Sequence, residues 1–145
     1  MILKIFKVVW FVSLLAMTLV FIYCYASWPQ IVSLSEEAGG SSVDRGILFY
    51  SCLGLSGVFN ALSFLIVRMG VSQAFTVWFY GLLISFHTFL ISIFIFITIF
   101  NSLEKYDYSR VGPTIYASMG LLMLWIAAWP VYYFTNRHLS QSKIR

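Results

Sequence analysis

Residues 75–100 read FTVWFYGLLISFHTFLISIFIFITIF, twenty-six positions without a formal charge, inside a charge-free stretch that runs over residues 69–103. As a helix rising about 1.5 Å per residue this segment is about 39 Å long. That exceeds the hydrocarbon core of about 30 Å, so a tilted membrane span is expected. The β-branched and aromatic run ISIFIFITIF invites a strand reading. Transmembrane strands are about ten residues long and alternate apolar with polar, whereas here both parities are apolar throughout. A lone strand would also leave its backbone amides unpaired in lipid, at several kcal/mol per group. The segment is therefore read as a helix, and the rest of the chain as lying beside it or at its ends.

Composition agrees with that medium. Of the 145 residues 61% are hydrophobic and 10% charged, and the mean hydropathy is +0.89; soluble domains carry about 25% charge. The net charge of +4 comes from few, scattered basic residues with no basic run interleaved with aromatics, so nucleic acid is not an expected partner. Cys24 and Cys52 form neither a CxxC pair nor a zinc-ligand array, and no N-x-[ST] acceptor occurs. Both features fit a bacterial envelope protein.

Four spans are predicted: 8–26, 47–67, 75–100 and 112–134, joined by an outer loop at 27–46, a short turn after Arg68, a second outer loop at 101–111, and followed by a basic tail at 135–145. A cleavable signal peptide is the rival for the first span, because Lys4 and Lys7 precede it and Cys24-Tyr25-Ala26 has a small-x-small form. Its nineteen residues exceed the usual seven to fifteen of a signal core, which favours a helix that stays. Pro29 ends that helix, and Gly112-Pro113 opens the last one. With both termini inside, Lys4, Lys7, Arg68, Arg137, Lys143 and Arg145 face the cytoplasm against Arg45, Lys105 and Arg110 outside, as the positive-inside rule asks. The expected fold is thus an all-α integral membrane protein, a single four-transmembrane-helix bundle, N-in/C-in, multi-pass in a bacterial cytoplasmic (inner) membrane.

Small residues mark candidate packing faces. Gly54, Gly57 and Ala61 share one face of the second span; Gly81, Ser85, Thr88 and Ser92 line a stripe of the third; Ala117, Gly120, Leu124 and Ala128 line one of the fourth. Each is expected to face a neighbouring helix, because small side chains let backbones approach where lipid removes the hydrophobic drive.

His87 lies midway along the third span, and an ionisable group at that depth is a functional candidate. Asn60 lies at matching depth in the second span, so an intramembrane polar pair Asn60–His87 is expected, worth around 1 kcal/mol. Proton or solute handling by His87 is the alternative; a second haem-ligating histidine at suitable depth is missing, as His138 sits in the tail. Cys24 and Cys52 lie near the outer ends of their helices as buried inert thiols or as a disulfide pair. Trp28, Glu36, Glu37 and Asp44 form the candidate outer-face partner surface. No nucleophile elbow, P-loop or HExxH occurs, and no span carries Asp, Glu, Lys or Arg in its middle. No catalytic residue, metal ligand or cofactor site is expected.

Leaving the first helix, Tyr25-Ala26-Ser27-Trp28-Pro29-Gln30-Ile31-Val32, then Gly39-Gly40 and Arg45, resembles small bacterial membrane proteins related to the SdpI-type immunity family. There the first helix typically ends in Leu-Pro, followed by a histidine, a Gly-x-Pro-like turn and a basic residue. Here Trp28-Pro29 replaces Leu-Pro, Ser33 or a neighbour stands where the histidine would be, and no proline follows the glycines. The likeness covers about residues 25–50, and it implies a non-enzymatic membrane protein that recognises a peptide or protein partner, or else one of the many members with no known role. The expectation is an accessory subunit or partner-binding component, immunity- or signalling-type, in the lipid bilayer with a membrane protein partner or as a homo-oligomer. A small oligomeric channel or transporter using Ser85, Thr88 and His87 is the alternative class. An outer-face thiol redox protein is the third.

Overall fold

The computed structural model describes residues 1–35, 40–102 and 111–142, the stretch 136–142 by backbone alone. Glu36 and Glu37 of the expected outer surface, Glu104, Lys105 and Arg110 of the second outer loop, and Lys143 and Arg145 of the tail lie outside the described residues. Four helices are present among those described: α1 (Ile2–Ser27), α2 (Arg45–Arg68), α3 (Gln73–Phe100) and α4 (Gly112–Ser142). Each is long and apolar enough to cross a membrane. All four outrun their predicted ends, two of them by more than a turn. α1 begins before Lys4 and Lys7 rather than after them, and α4 carries its helix through Pro130 into the basic tail.

Local chemistry sets the helix ends. The Asp44 carboxylate accepts from the backbone N–H of Gly46 at 2.7 Å and of Ile47 at 3.3 Å, capping α2. Ser72 caps α3 by accepting from the N–H of Phe75 at 3.3 Å. Between the two helices Gly70 adopts φ +65°, the left-handed residue that closes a helix C-terminus at no steric cost. The α2–α3 turn is accordingly short, and the two helices run antiparallel.

The connection between α1 and α2 carries regular structure at residues 31–33 and 42–44 that its sequence does not suggest. Strands β1 (Ile31–Ser33) and β2 (Ser42–Asp44) pair antiparallel, with Val32 opposite Val43. Flanking bonds from Leu34 N–H to the Ser41 carbonyl (2.8 Å) and from Arg45 N–H to the Gln30 carbonyl (2.9 Å) close the hairpin. The far edge of β1 is met by the Asn101 side chain, which accepts from Ser33 N–H at 2.8 Å and donates to the Ser33 carbonyl at 3.0 Å. One amide thus stands in for a third strand and ties the hairpin to the end of α3. Asn101→Ala should remove about 1 kcal/mol of this latch. Hydrogen exchange should then quicken at residues 31–44 while the α3 amides keep their protection; unchanged exchange in the hairpin would refute the latch.

α3 is the hub, packed most extensively against α1 and then α4, with α2 touching it more lightly. The core divides into two apolar clusters. Met17, Phe21, Cys24, Trp28, Val32, Leu90, Phe94 and Ile97 fill the hairpin end. Phe21 is stacked between Phe94 of α3 and Phe49 of α2 at ring distances of 4.5 and 4.6 Å. At the other end, where the α1 N-terminus and the α2–α3 turn lie, Phe79, Tyr80 and Leu83 pack with Phe6, Trp10, Phe59 and Trp78.

The small-residue faces divide. Gly81, Ser85 and Ser92 of α3 are buried, but Thr88 of the same stripe is exposed and its hydroxyl donates to its own helix at the Ile84 carbonyl. On α2 the buried residues are Ser56, Asn60 and Ser63; Gly54, Gly57 and Ala61 are exposed, Gly57 at the edge of an open groove between α2 and α1. Ala117, Gly120, Leu124 and Ala128 of α4 are likewise exposed. The stripes of α2 and α4 are thus not closed by a neighbouring helix among the described residues. Lipid is as apolar as the interior, so nothing in their hydrophobicity decides which way they turn.

Candidate functional site

Between the two apolar clusters lies a polar layer built by three helices. His87 of α3 is fully buried, and Asn60 and Ser56 of α2 nearly so. Asn60 Nδ2 lies 3.1 Å from His87 Nε2, and Ser13 Oγ of α1 lies 2.8 Å from His87 Nδ1. The indole N–H of Trp10, also on α1, donates to Asn60 Oδ1 at 2.9 Å. Asn60 Nδ2 donates in addition to the Ser56 carbonyl at 2.8 Å, and Ser13 Oγ donates to the Trp10 carbonyl at 2.8 Å.

These contacts admit one arrangement of protons. An indole N–H only donates and a carbonyl only accepts, so Trp10 and the Ser56 carbonyl together orient the Asn60 amide. Its NH₂ then faces His87, which makes Nε2 an acceptor. A neutral imidazole must carry its proton on the other nitrogen, so Nδ1–H donates to Ser13 Oγ, and the Ser13 hydroxyl passes its own proton to the Trp10 carbonyl. Every polar hydrogen in the circuit has an acceptor. The layer therefore binds α1, α2 and α3 together, and it leaves no free lone pair on the imidazole. Trp10, Ser13 and Ser56 were not among the sequence candidates; the readable signal is that Ser13 and Ser56 are polar residues deep within their spans.

A second polar contact joins α3 to α4. Trp78 Nε1–H donates to the Trp125 carbonyl and Trp125 Nε1–H to the Trp78 carbonyl, both at 2.7 Å. The clasp closes only because residue 81 has no side chain: a Cβ built there would overlap the Trp125 indole at Cζ2, Cε2 and Nε1. Phe6 of α1 packs on the same indole at 6.2 Å.

Two further candidates take other places than expected. Trp28 is 2% exposed, donates its indole N–H to Thr98 Oγ1 at 2.8 Å, and lies in the core rather than on a partner surface. Asp44 is spent capping α2. Arg45 completes the same unit, donating to the Trp28 carbonyl at 3.1 Å with its guanidinium 5.0 Å from the Tyr25 ring centroid. Cys24 and Cys52 are free, not bridged. A disulfide needs Cα atoms within about 7 Å, and the α1 and α2 backbones hardly approach one another, held apart by the Phe21–Phe49 stack. Among the described residues no three of His, Cys, Asp and Glu gather in one place. No protein-family model matches this chain, and searches of curated proteins and of solved structures found no match either.

Proposed function

We propose that this chain is a non-enzymatic, multi-pass component of a bacterial cytoplasmic membrane, both termini on the cytoplasmic side, which acts by binding a membrane protein partner or a second copy of itself within the bilayer. One contrast carries the reading. Gly81 is filled by Trp125, whereas a Cβ at Gly54, Gly57 or Gly120 would meet nothing within 4 Å. Glycine costs a helix about 1 kcal/mol relative to alanine, and close helix approach is what repays it in lipid. The outward faces of α2 and α4 are therefore the binding surfaces, and the packed hairpin holds α2 at its angle. This moves the partner surface from the outer loop into the membrane. It is consistent with the recognition of a peptide or protein partner that the resemblance at residues 25–50 implies.

The channel reading draws less support. The hydroxyls of Ser85 and Ser92 donate to carbonyls of their own helix, Gly81 and Thr88, and the His87 ring is enclosed on both nitrogens.

Purification in mild detergent tests the binding reading. The wild type should bring down a stoichiometric membrane partner or migrate as an oligomer. Gly57→Leu and Gly120→Leu should each weaken that association about tenfold or more, the equivalent of about 1.4 kcal/mol, while the helix content is unchanged. A wild type that runs only as a monomer, or variants that associate as it does, would sink the proposal.

A further inference from the structure

At the bundle end that holds the α1 N-terminus and the α2–α3 turn, a groove of about 540 Å³ opens between α1, α3 and α4. Ile2, Val77, Trp78, Trp125, Ala128 and Trp129 form its walls. The indole N–H groups of Trp78 and Trp125 are both consumed in their mutual clasp, so these walls offer ring faces and aliphatic carbon. Trp129 continues the aromatic lining, its ring 5.5 Å from Trp78 and 4.9 Å from Phe75. The polar members of its lining are Gln73, the first residue of α3, and Tyr132, near the end of the α4 span.

Charge at this end has one sign. Lys4, Lys7 and Arg68 are its ionic residues with described side chains, none of them in the groove wall and Lys4 bordering a neighbouring groove with Ile5, Val8 and Val9, while Asp44, the one carboxylate among the described residues, lies at the opposite end beside the hairpin. A volume of 540 Å³ is within the range of small-molecule sites, about 300–1,000 Å³. An occupant matched to apolar walls, a lining that includes Gln73 and Tyr132, and a bundle end of positive charge is an acyl chain carrying an anionic head at the interface. We propose that this groove is a selective site for one acyl chain of an anionic phospholipid, its ester and phosphate oxygens meeting Gln73, Tyr132 and the basic end of the bundle. The site rests on the reading of the chain as inserted in a bilayer. It goes beyond that reading by naming a preferred lipid.

The purified full chain is reconstituted in phosphatidylcholine vesicles containing a minor fraction of lipid brominated on its acyl chain, either phosphatidylglycerol or phosphatidylcholine, and quenching of tryptophan fluorescence is measured. One favourable contact between a basic residue and an anionic head corresponds to about a fivefold enrichment over bulk lipid. Brominated phosphatidylglycerol should therefore quench as strongly as about five times its mole fraction of brominated phosphatidylcholine. Ala128→Phe, which fills the groove, should abolish that preference; Ala127→Phe, with the same added ring one residue away, should keep it. Gln73→Leu leaves the walls intact and should weaken the preference without altering the fold. Equal quenching by the two lipids, or a preference that survives Ala128→Phe and Gln73→Leu, would overturn the site. Absence of quenching by either lipid would instead overturn the insertion on which it rests.

Discussion

Asn60→Leu will destabilise the bundle by about 2–4 kcal/mol, a larger effect than removing any single hydrogen bond elsewhere in it. The change strands the Trp10 indole N–H and His87 Nε2 together, since both are held by the one amide. Each buried polar group left without a partner costs about 1–3 kcal/mol. Interhelical bonds in lipid average nearer 0.6 kcal/mol, because a helix separated in the membrane finds other partners, and the lower end of the range reflects that. Reversible unfolding in mixed micelles measures it. His87→Leu in the same background is the sharper control: the double variant should cost about 1 kcal/mol less than the sum of the singles, as expected for groups in one network. Additive singles, or an Asn60→Leu protein within about 0.5 kcal/mol of wild type, a shift typical of surface changes, would mean that the layer does not bind the helices.

Gly81→Ala is the second large effect and acts by a different route. One methyl must displace the Trp125 indole, which cannot swing aside freely because its N–H is tied to the Trp78 carbonyl and Phe6 packs on its ring. Overpacking of this kind costs about 1–3 kcal/mol. Loss of the two clasp bonds follows, and the docking of α4 on α3 should loosen. The near-ultraviolet circular dichroism of the paired indoles should collapse together with the unfolding midpoint. Gly57→Ala supplies the contrast, since a Cβ there meets nothing and a helical alanine is favoured by about 1 kcal/mol over glycine. The isolated chain should tolerate that change or gain from it. If both alanines behaved alike, the distinction between a filled and an open glycine would fail, and with it the argument for a binding face on α2.

Four long apolar helices were legible in the residues because hydropathy summed over about twenty positions is a property of each segment alone. Depth was legible for the same reason: position along a helix advances about 1.5 Å per residue, so Asn60 and His87 could be set at one level before any packing was known. The hairpin was not. Its strands are three residues each, too short for alternation to show, and its latch at Asn101 lies 68 residues from Ser33.

What only the tertiary structure decided is rotation about each helix axis. In water an apolar face must turn inward, and the pattern betrays it; in lipid an apolar face is content on either side, so Gly81 and Gly57 look alike in sequence. The neighbours separate them: Trp125 occupies the space beside one, and no side chain reaches the other. Thr88, Trp28 and the proton order of the His87 layer were settled in the same way, by contacts between helices that no single helix encodes.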